Sequence, residues 1–115
     1  MILVPNSLYV VSTPIGNLGD ISARALTVLS QVDTVAAEDT RHSQRLLQHF
    51  GLACQLTSLH GHNEQSKVSG LIQKLESGES IALISDAGTP LISDPGAKLI
   101  SAAVKADLNI IAVPG

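Results

Sequence analysis

The sequence predicts an α/β fold, a five-stranded and mostly parallel sheet with helices on both faces. Five short runs of β-branched and aliphatic residues, at 8–12, 34–37, 55–59, 81–85 and 109–113, are largely apolar along their length, as strands covered on both faces are. The stretches between them carry apolar residues at the 3.6-residue helical period. The connections are short, and a strand joined to the next through one helix must run parallel to it by a right-handed crossover.

Each helix has its own signature. Ile21, Ala25, Val28 and Leu29 fall at i, i+4, i+7 and i+8 after the first strand, with Asp20 as a candidate cap. Leu46, Leu47 and Phe50 form the second stripe, ended by Gly51. Val68, Leu71, Ile72 and Leu75 form the third, with Asn63 as a cap and Gly78 at the end. Both glycines stand where the residue just past a helix needs a positive φ. Asp94 as N-cap and Pro95 as first helical residue open the fourth helix, with Leu99, Ile100, Ala103 and Val104 as its buried face. Residues 1–7 read as an N-terminal extension and 8–115 as one α/β domain. Val113-Pro114-Gly115, a turn directly after the fifth strand, reads as a domain boundary.

The chain's 115 residues are 44% apolar and 15% charged, a globular composition that rules out a disordered or fibrous chain. Its net charge of −3 comes without a block of like charge, so binding to a polyanion is not advertised. The single cysteine, Cys54, suits a buried thiol in a reducing compartment better than a disulfide framework. No run approaches the ~20 apolar residues that span a bilayer. A cytoplasmic protein without a membrane partner is the expectation. Tyr9 and Phe50, the only aromatics, both fit the core, which argues against modules that stack bases on aromatic platforms.

In an open parallel sheet, ligands bind outside the carboxyl ends of the strands. The loop at 13–20 follows the first strand but has only a Gly-x-x-Gly spacing, so it serves as well for a shaped turn as for a phosphate site. Glu38-Asp39-Thr40-Arg41 opens a helix. The acids suit the positive end of the dipole there, whereas Arg41 opposes it and calls for a carboxylate or an anionic ligand. His60-Gly61-His62-Asn63-Glu64 has a spacing that metal hydrolases use, but without a Cys or His cluster to complete it, and no metal is expected. The segment from Ile84 to Gly96 is the most specific. Its unit Ile-Ser-Asp-x-Gly occurs twice, eight residues apart, and Asp86 at the end of a buried strand is costly unless backbone N–H groups or a ligand meet it.

Four motifs, Thr13-Pro14-Ile15-Gly16-Asn17-Leu18-x-Asp20-Ile21, Ala37-Glu38-Asp39-Thr40-Arg41, His62-Asn63-Glu64 and Ser85-Asp86-Ala87-Gly88-Thr89-Pro90-x-Ile92-Ser93-Asp94-Pro95-Gly96, closely resemble the ribosomal RNA small subunit methyltransferase I family. That family lies within the tetrapyrrole methylase superfamily. The resemblance covers essentially the whole chain and corresponds to an N-terminal domain whose C-terminal partner is absent. It implies binding of S-adenosyl-L-methionine (SAM) between two α/β domains, and methylation of a cytidine ribose 2′-oxygen in the decoding region of 16S rRNA. It further implies a homodimer, with 16S rRNA or the small ribosomal subunit as partner of the full-length protein.

By the same resemblance Asp86, Ala87, Gly88, Thr89, Pro90, Ile92, Ser93 and Pro114 are the cofactor-binding residues. Pro14, Gly16, Asn17, Arg41 and Asn63 face the substrate, and Glu38, Asp39, His62 and Glu64 are the candidate proton acceptors. Asp107-Leu108 replaces an expected Ala-Gly-type turn, which asks Asp107 to take a glycine-like φ, and Gly61 stands where a larger, often acidic residue is expected. Two other readings remain open from the residues: methylation of a tetrapyrrole carbon, as of a corrinoid precursor, and a noncatalytic assembly domain.

Overall fold

A computed structural model describes residues 4, 6–13, 18–38, 40–59, 64–86 and 94–113. Along the chain it has β1 (Ser7–Thr13), a 3-10 turn (Leu18–Asp20), α1 (Ala23–Gln31), β2 (Thr34–Ala37), α2 (Thr40–His49) and β3 (Gln55–Ser58). Then follow α3 (Glu64–Glu76), β4 (Ile81–Asp86), α4 (Asp94–Lys105) and β5 (Asn109–Val113). The strands form one sheet in the order β3-β2-β4-β1-β5, with every pairing parallel.

This order explains the two-layered core. From β1 through β2 to β3 the chain moves towards one edge, and from β3 through β4 to β5 it moves back. Right-handed crossovers in opposite directions put helices on opposite faces. Tyr9, Val11, Val35, Ala37, Ala82 and Ile84 accordingly pack with Ala25, Val28 and Leu29 of α1 and Leu46 and Leu47 of α2. Their strand neighbours Leu8, Ala36, Ile81 and Leu83 point the other way, to Leu71 and Leu75 of α3 and Leu99 and Ala103 of α4. The buried Tyr9 hydroxyl accepts a 2.8 Å hydrogen bond from the Val4 N–H.

Three helices end in the same arrangement. Leu52 N donates to Leu47 O and Gly51 N to Gln48 O, Glu79 N to Lys74 O and Gly78 N to Leu75 O, Leu108 N to Ala103 O and Asp107 N to Val104 O, at 2.9–3.2 Å. This crossed pair of bonds is the Schellman motif, which needs a left-handed residue just past the helix. Gly51 (φ 65°), Gly78 (φ 104°) and, as the sequence requires, Asp107 (φ 59°) supply it.

Several expectations are corrected. The N-cap of α1 is Ser22, whose hydroxyl accepts from the Ala25 N–H at 3.0 Å, and not Asp20, which is exposed in the preceding 3-10 turn. The extra turn lets the buried Ile21 stand just outside the cap and pack in the same cluster as Leu26, as a hydrophobic staple does. Val104 is 61% exposed, because Leu99 and Ala103 set the inward line of α4 with Ile100 packed partly buried beside it, and Val104 is one position round towards solvent. Helix α4 begins at Asp94 itself, one residue earlier than the capping pattern suggests. Strands β3 and β5 are the sheet's edges and are only partly covered. Cys54, just before β3, is half-buried, and burial raises its thiol pKa above the ordinary value.

At the amino end of the sheet a clamp ties β2 to β4. Asp33 N donates to Ser80 O at 3.0 Å, and the Asp33 carboxylate accepts from Ser80 N at 2.9 Å and from Ser80 Oγ at 3.4 Å. Gln55 N donates to Asp33 O at 3.3 Å, bringing β3 into the same junction. The ladder Thr34↔Ile81, Val35↔Ala82, Ala36↔Leu83 starts directly from it.

Candidate active site

The topology fixes where a ligand crevice opens. Strand β4 is central, between β2 and β1. The chain leaves β1 and β2 for helices on one face and leaves β4 for a helix on the other. Loops that diverge to opposite faces part the carboxyl edge of the sheet on each side of β4, the switch points at which open α/β sheets bind ligands.

Four of the candidate residues lie within the described chain, all at this edge. Asp86 ends β4 and is paired in register with Thr13, the last residue of β1. Glu38 directly follows β2 and is exposed, two residues beyond Ala36, where the β2–β4 ladder ends opposite Leu83. Arg41 stands in the first turn of α2, exposed and already engaged with a partner in the chain. Glu64 is the first residue of α3. The sheet thus brings together the ends of β1, β2 and β4, and the starts of α2 and α3. Asp39, His62, Ala87, Gly88, Thr89, Pro90, Ile92, Ser93, Pro114, Pro14, Gly16, Asn17 and Asn63 lie outside the described residues.

Thr13 opens the 13–20 loop and the first motif in the sequence but is given no role there. It is fully buried, has a polar partner, and stands beside Asp86 at the switch point. A hydroxyl there is visible in the sequence, but its level with Asp86 comes only from strand register. Ser43 is likewise a polar residue turned inward, buried on the core side of α2 and hydrogen-bonded or otherwise engaged. Among the described residues, no three His, Cys, Asp or Glu side chains stand close enough to hold a metal ion. No described helix is long and apolar enough to cross a membrane.

This edge suits SAM in the part that is described. The end of β4 lies level with the end of β1, Asp86 in register with Thr13, at the switch point where an open α/β sheet takes a ligand such as SAM.

Comparison with known proteins agrees with the fold. The chain is 57% identical over 109 residues to the ribosomal RNA small subunit methyltransferase I of Pseudomonas aeruginosa, covering 95% of this chain and 39% of that protein. It is 56% identical over 108 residues to the protein of the same name from Escherichia coli O157:H7, covering 94% and 38%. The chain therefore spans about two fifths of the length of the curated relatives it matches. The solved structure of a cobalamin biosynthetic enzyme, cobalt precorrin-4 methyltransferase, superposes with a TM-score of 0.77 at 20% identity, over 96% of this chain and 46% of that one. At that identity the likeness is one of fold. The model of the family described as Tetrapyrrole (Corrin/Porphyrin) Methylases matches residues 7–115, and the chain belongs to that family.

Proposed function

We propose that the chain is the N-terminal α/β domain of a two-domain, SAM-dependent methyltransferase that modifies a cytidine ribose 2′-oxygen in the decoding region of 16S rRNA. One observation carries the choice of substrate. Relatives named for small-subunit rRNA methylation share 51–57% of residues with almost the whole chain, whereas the tetrapyrrole-named structures share 19–20%. The full-length protein is proposed to be a cytoplasmic homodimer with 16S rRNA or the small subunit as its partner.

When bound, SAM supplies a methyl group already activated on sulfur. Asp86, Ala87, Gly88, Thr89, Pro90, Ile92, Ser93 and Pro114 are proposed to hold it, with Asp86 accepting from its donor groups. The contribution left to the protein is alignment of the attacking ribose oxygen and removal of its proton. Glu38, Asp39, His62 and Glu64 are the groups proposed to take that proton, and Glu38 is an exposed carboxylate directly after β2. Arg41 suits a phosphate of the RNA, and Pro14, Gly16, Asn17 and Asn63 the rest of the nucleotide.

The test is calorimetric titration of SAM into the two-domain protein, followed by methyl transfer to 16S rRNA and to a corrinoid precursor. Asp86→Ala is expected to weaken SAM binding by about tenfold or more, the weight of a hydrogen bond to a charged group. Glu38→Gln is expected to lower the rate at saturating SAM. Transfer to the corrinoid alone would replace RNA by a tetrapyrrole, and failure of the wild-type protein to bind SAM would favour the assembly domain.

A further inference from the structure

The basic residues of this chain are sorted by face. All three arginines, Arg24, Arg41 and Arg45, lie on α1 and α2, whereas all four lysines, Lys67, Lys74, Lys98 and Lys105, lie on α3 and α4. Neither α1 nor α2 contains an Asp or Glu, while α3 and α4 contain both signs. The two arginine-bearing helices pack on the same face of the sheet. In a chain of net charge −3 the two helices of one layer thus carry only cationic charge, with the exposed Asp20, Asp33 and Glu38 confined to the segments that flank them.

The arginines are placed as well as sorted. Ser43, Leu46 and Leu47 turn inward on α2, so Arg41, Arg45 and Gln48, at i, i+4 and i+7, share the opposite, exposed side. One helical turn separates Arg41 from Arg45 by about 6 Å along the axis, comparable to the distance between neighbouring phosphates of a nucleic-acid strand. Arg24 and Arg41 stand in the first turns of helices that start from the carboxyl edge of the sheet, beside the crevice. A cation there opposes the helix dipole and gains most when an anion meets it. Guanidinium, with its planar fork of donors, is the group that grips phosphate in two-point fashion. On the other layer Lys74 donates to Thr34 Oγ1 at 3.5 Å and to Gln55 Oε1 at 3.4 Å, while Lys67, Lys98 and Lys105 are exposed on helices that also carry carboxylates.

We propose that the exposed side of α1 and α2 is the track of the RNA backbone as it leaves the crevice, with Arg45 gripping a phosphate one step beyond the one at Arg41. The proposal rests on the RNA reading above and adds a surface and a direction to it. It also qualifies the acidic net charge: the strand approaches over the arginine layer and not over the sheet's other face.

The two-domain protein, assayed for methyl transfer to naked 16S rRNA and to small subunits, tests it with Arg45→Gln, Arg45→Glu and, on the opposite layer, Lys105→Gln. Arg45→Gln is expected to raise KM for naked RNA by roughly three- to tenfold, and to lower the slope of log KM against log salt by about 0.7–0.9, one phosphate contact. Arg45→Glu raises KM further, while kcat at saturating RNA and SAM affinity stay at wild-type values and Lys105→Gln changes nothing. Unaltered KM and salt slope in Arg45→Glu, with the wild type active on RNA, would overturn the track alone. A defect seen with small subunits and not with naked RNA would also overturn it, in favour of a ribosomal protein contact. A wild-type enzyme that binds SAM but methylates only a corrinoid would remove the RNA reading and the track together.

Discussion

Removing the Asp33 carboxylate should loosen the register on which the site depends. The buried Ser80 N–H donates to that carboxylate at 2.9 Å, and Asp33→Ala leaves this donor without its acceptor. A hydrogen bond to a charged group contributes roughly 1.5–3 kcal/mol. Asp33 is exposed, so solvent screening reduces that to about 1–2 kcal/mol. Ser80→Ala removes only the 3.4 Å hydroxyl contact and should cost less than about 0.5 kcal/mol. Asp33→Asn keeps an acceptor and should fall between them. Urea unfolding followed by far-UV circular dichroism reads the difference as a midpoint shift near 1 M, for an m-value of about 1.5 kcal/mol/M. An Asp33→Ala midpoint within error of wild type, or a Ser80→Ala loss as large as that of Asp33→Ala, would refute the reasoning. Either result would mean that the backbone ladder alone aligns β2 with β4.

Two further outcomes follow from single residues. Gly70, inside α3, has open space where a Cβ would stand, so Gly70→Ala should stabilise by up to about 1 kcal/mol; Gly78→Ala meets only Asn6 Oδ1 at 3.7 Å but must hold a φ of 104°, and should destabilise by about 1–2 kcal/mol. Thermal melts of the two variants should move in opposite directions, and equal shifts would contradict the backbone argument. Burial raises the Cys54 thiol pKa, so its alkylation should accelerate at a higher pH than that of a free cysteine thiol. The corresponding stability is complete below the ordinary thiol pKa and is lost as pH rises through the raised folded value. A pH profile of alkylation that matches the urea-unfolded chain would count against the burial.

The elements of this fold were legible because each is patterned locally. The run at 81–85 is apolar enough for a covered strand, and Gly51 and Gly78 mark helix ends by their freedom at positive φ. Asp107 was legible for the opposite reason: it occupies a glycine-like position by forming the same crossed hydrogen bonds. What sequence pattern could not convey was strand order. Nothing local in β4 marks it as central, so neither the exposure of β3 and β5 nor the pairing of Thr13 with Asp86 could be read from spacing. The cap of α1 shows the same limit on a smaller scale, since Asp20 and Ser22 are both good caps and the short turn between them decides. At the site, Glu38 and Asp86 were legible as carboxylates at strand ends, and Arg41 and Glu64 as charged residues at the starts of the helices that follow β2 and β3. Their convergence on one edge follows from parallel pairing.

The strand order also dictates when the sheet can form as the chain is made. β1 pairs only with β4 and β5, and β2 only with β3 and β4. Synthesis from the amino end therefore yields two halves with no native pairing between them until residues 81–86 appear. Until then β1 has neither of its neighbours, and Leu8, Tyr9 and Val11, fully or almost fully buried in the finished domain, have no sheet to enter. The segment that brings Asp86 to the crevice is thus also the one whose arrival joins the halves. In this topology β4 joins the two halves, and only then can α4 and β5 add Leu99, Ala103 and Val113 to complete the two core layers.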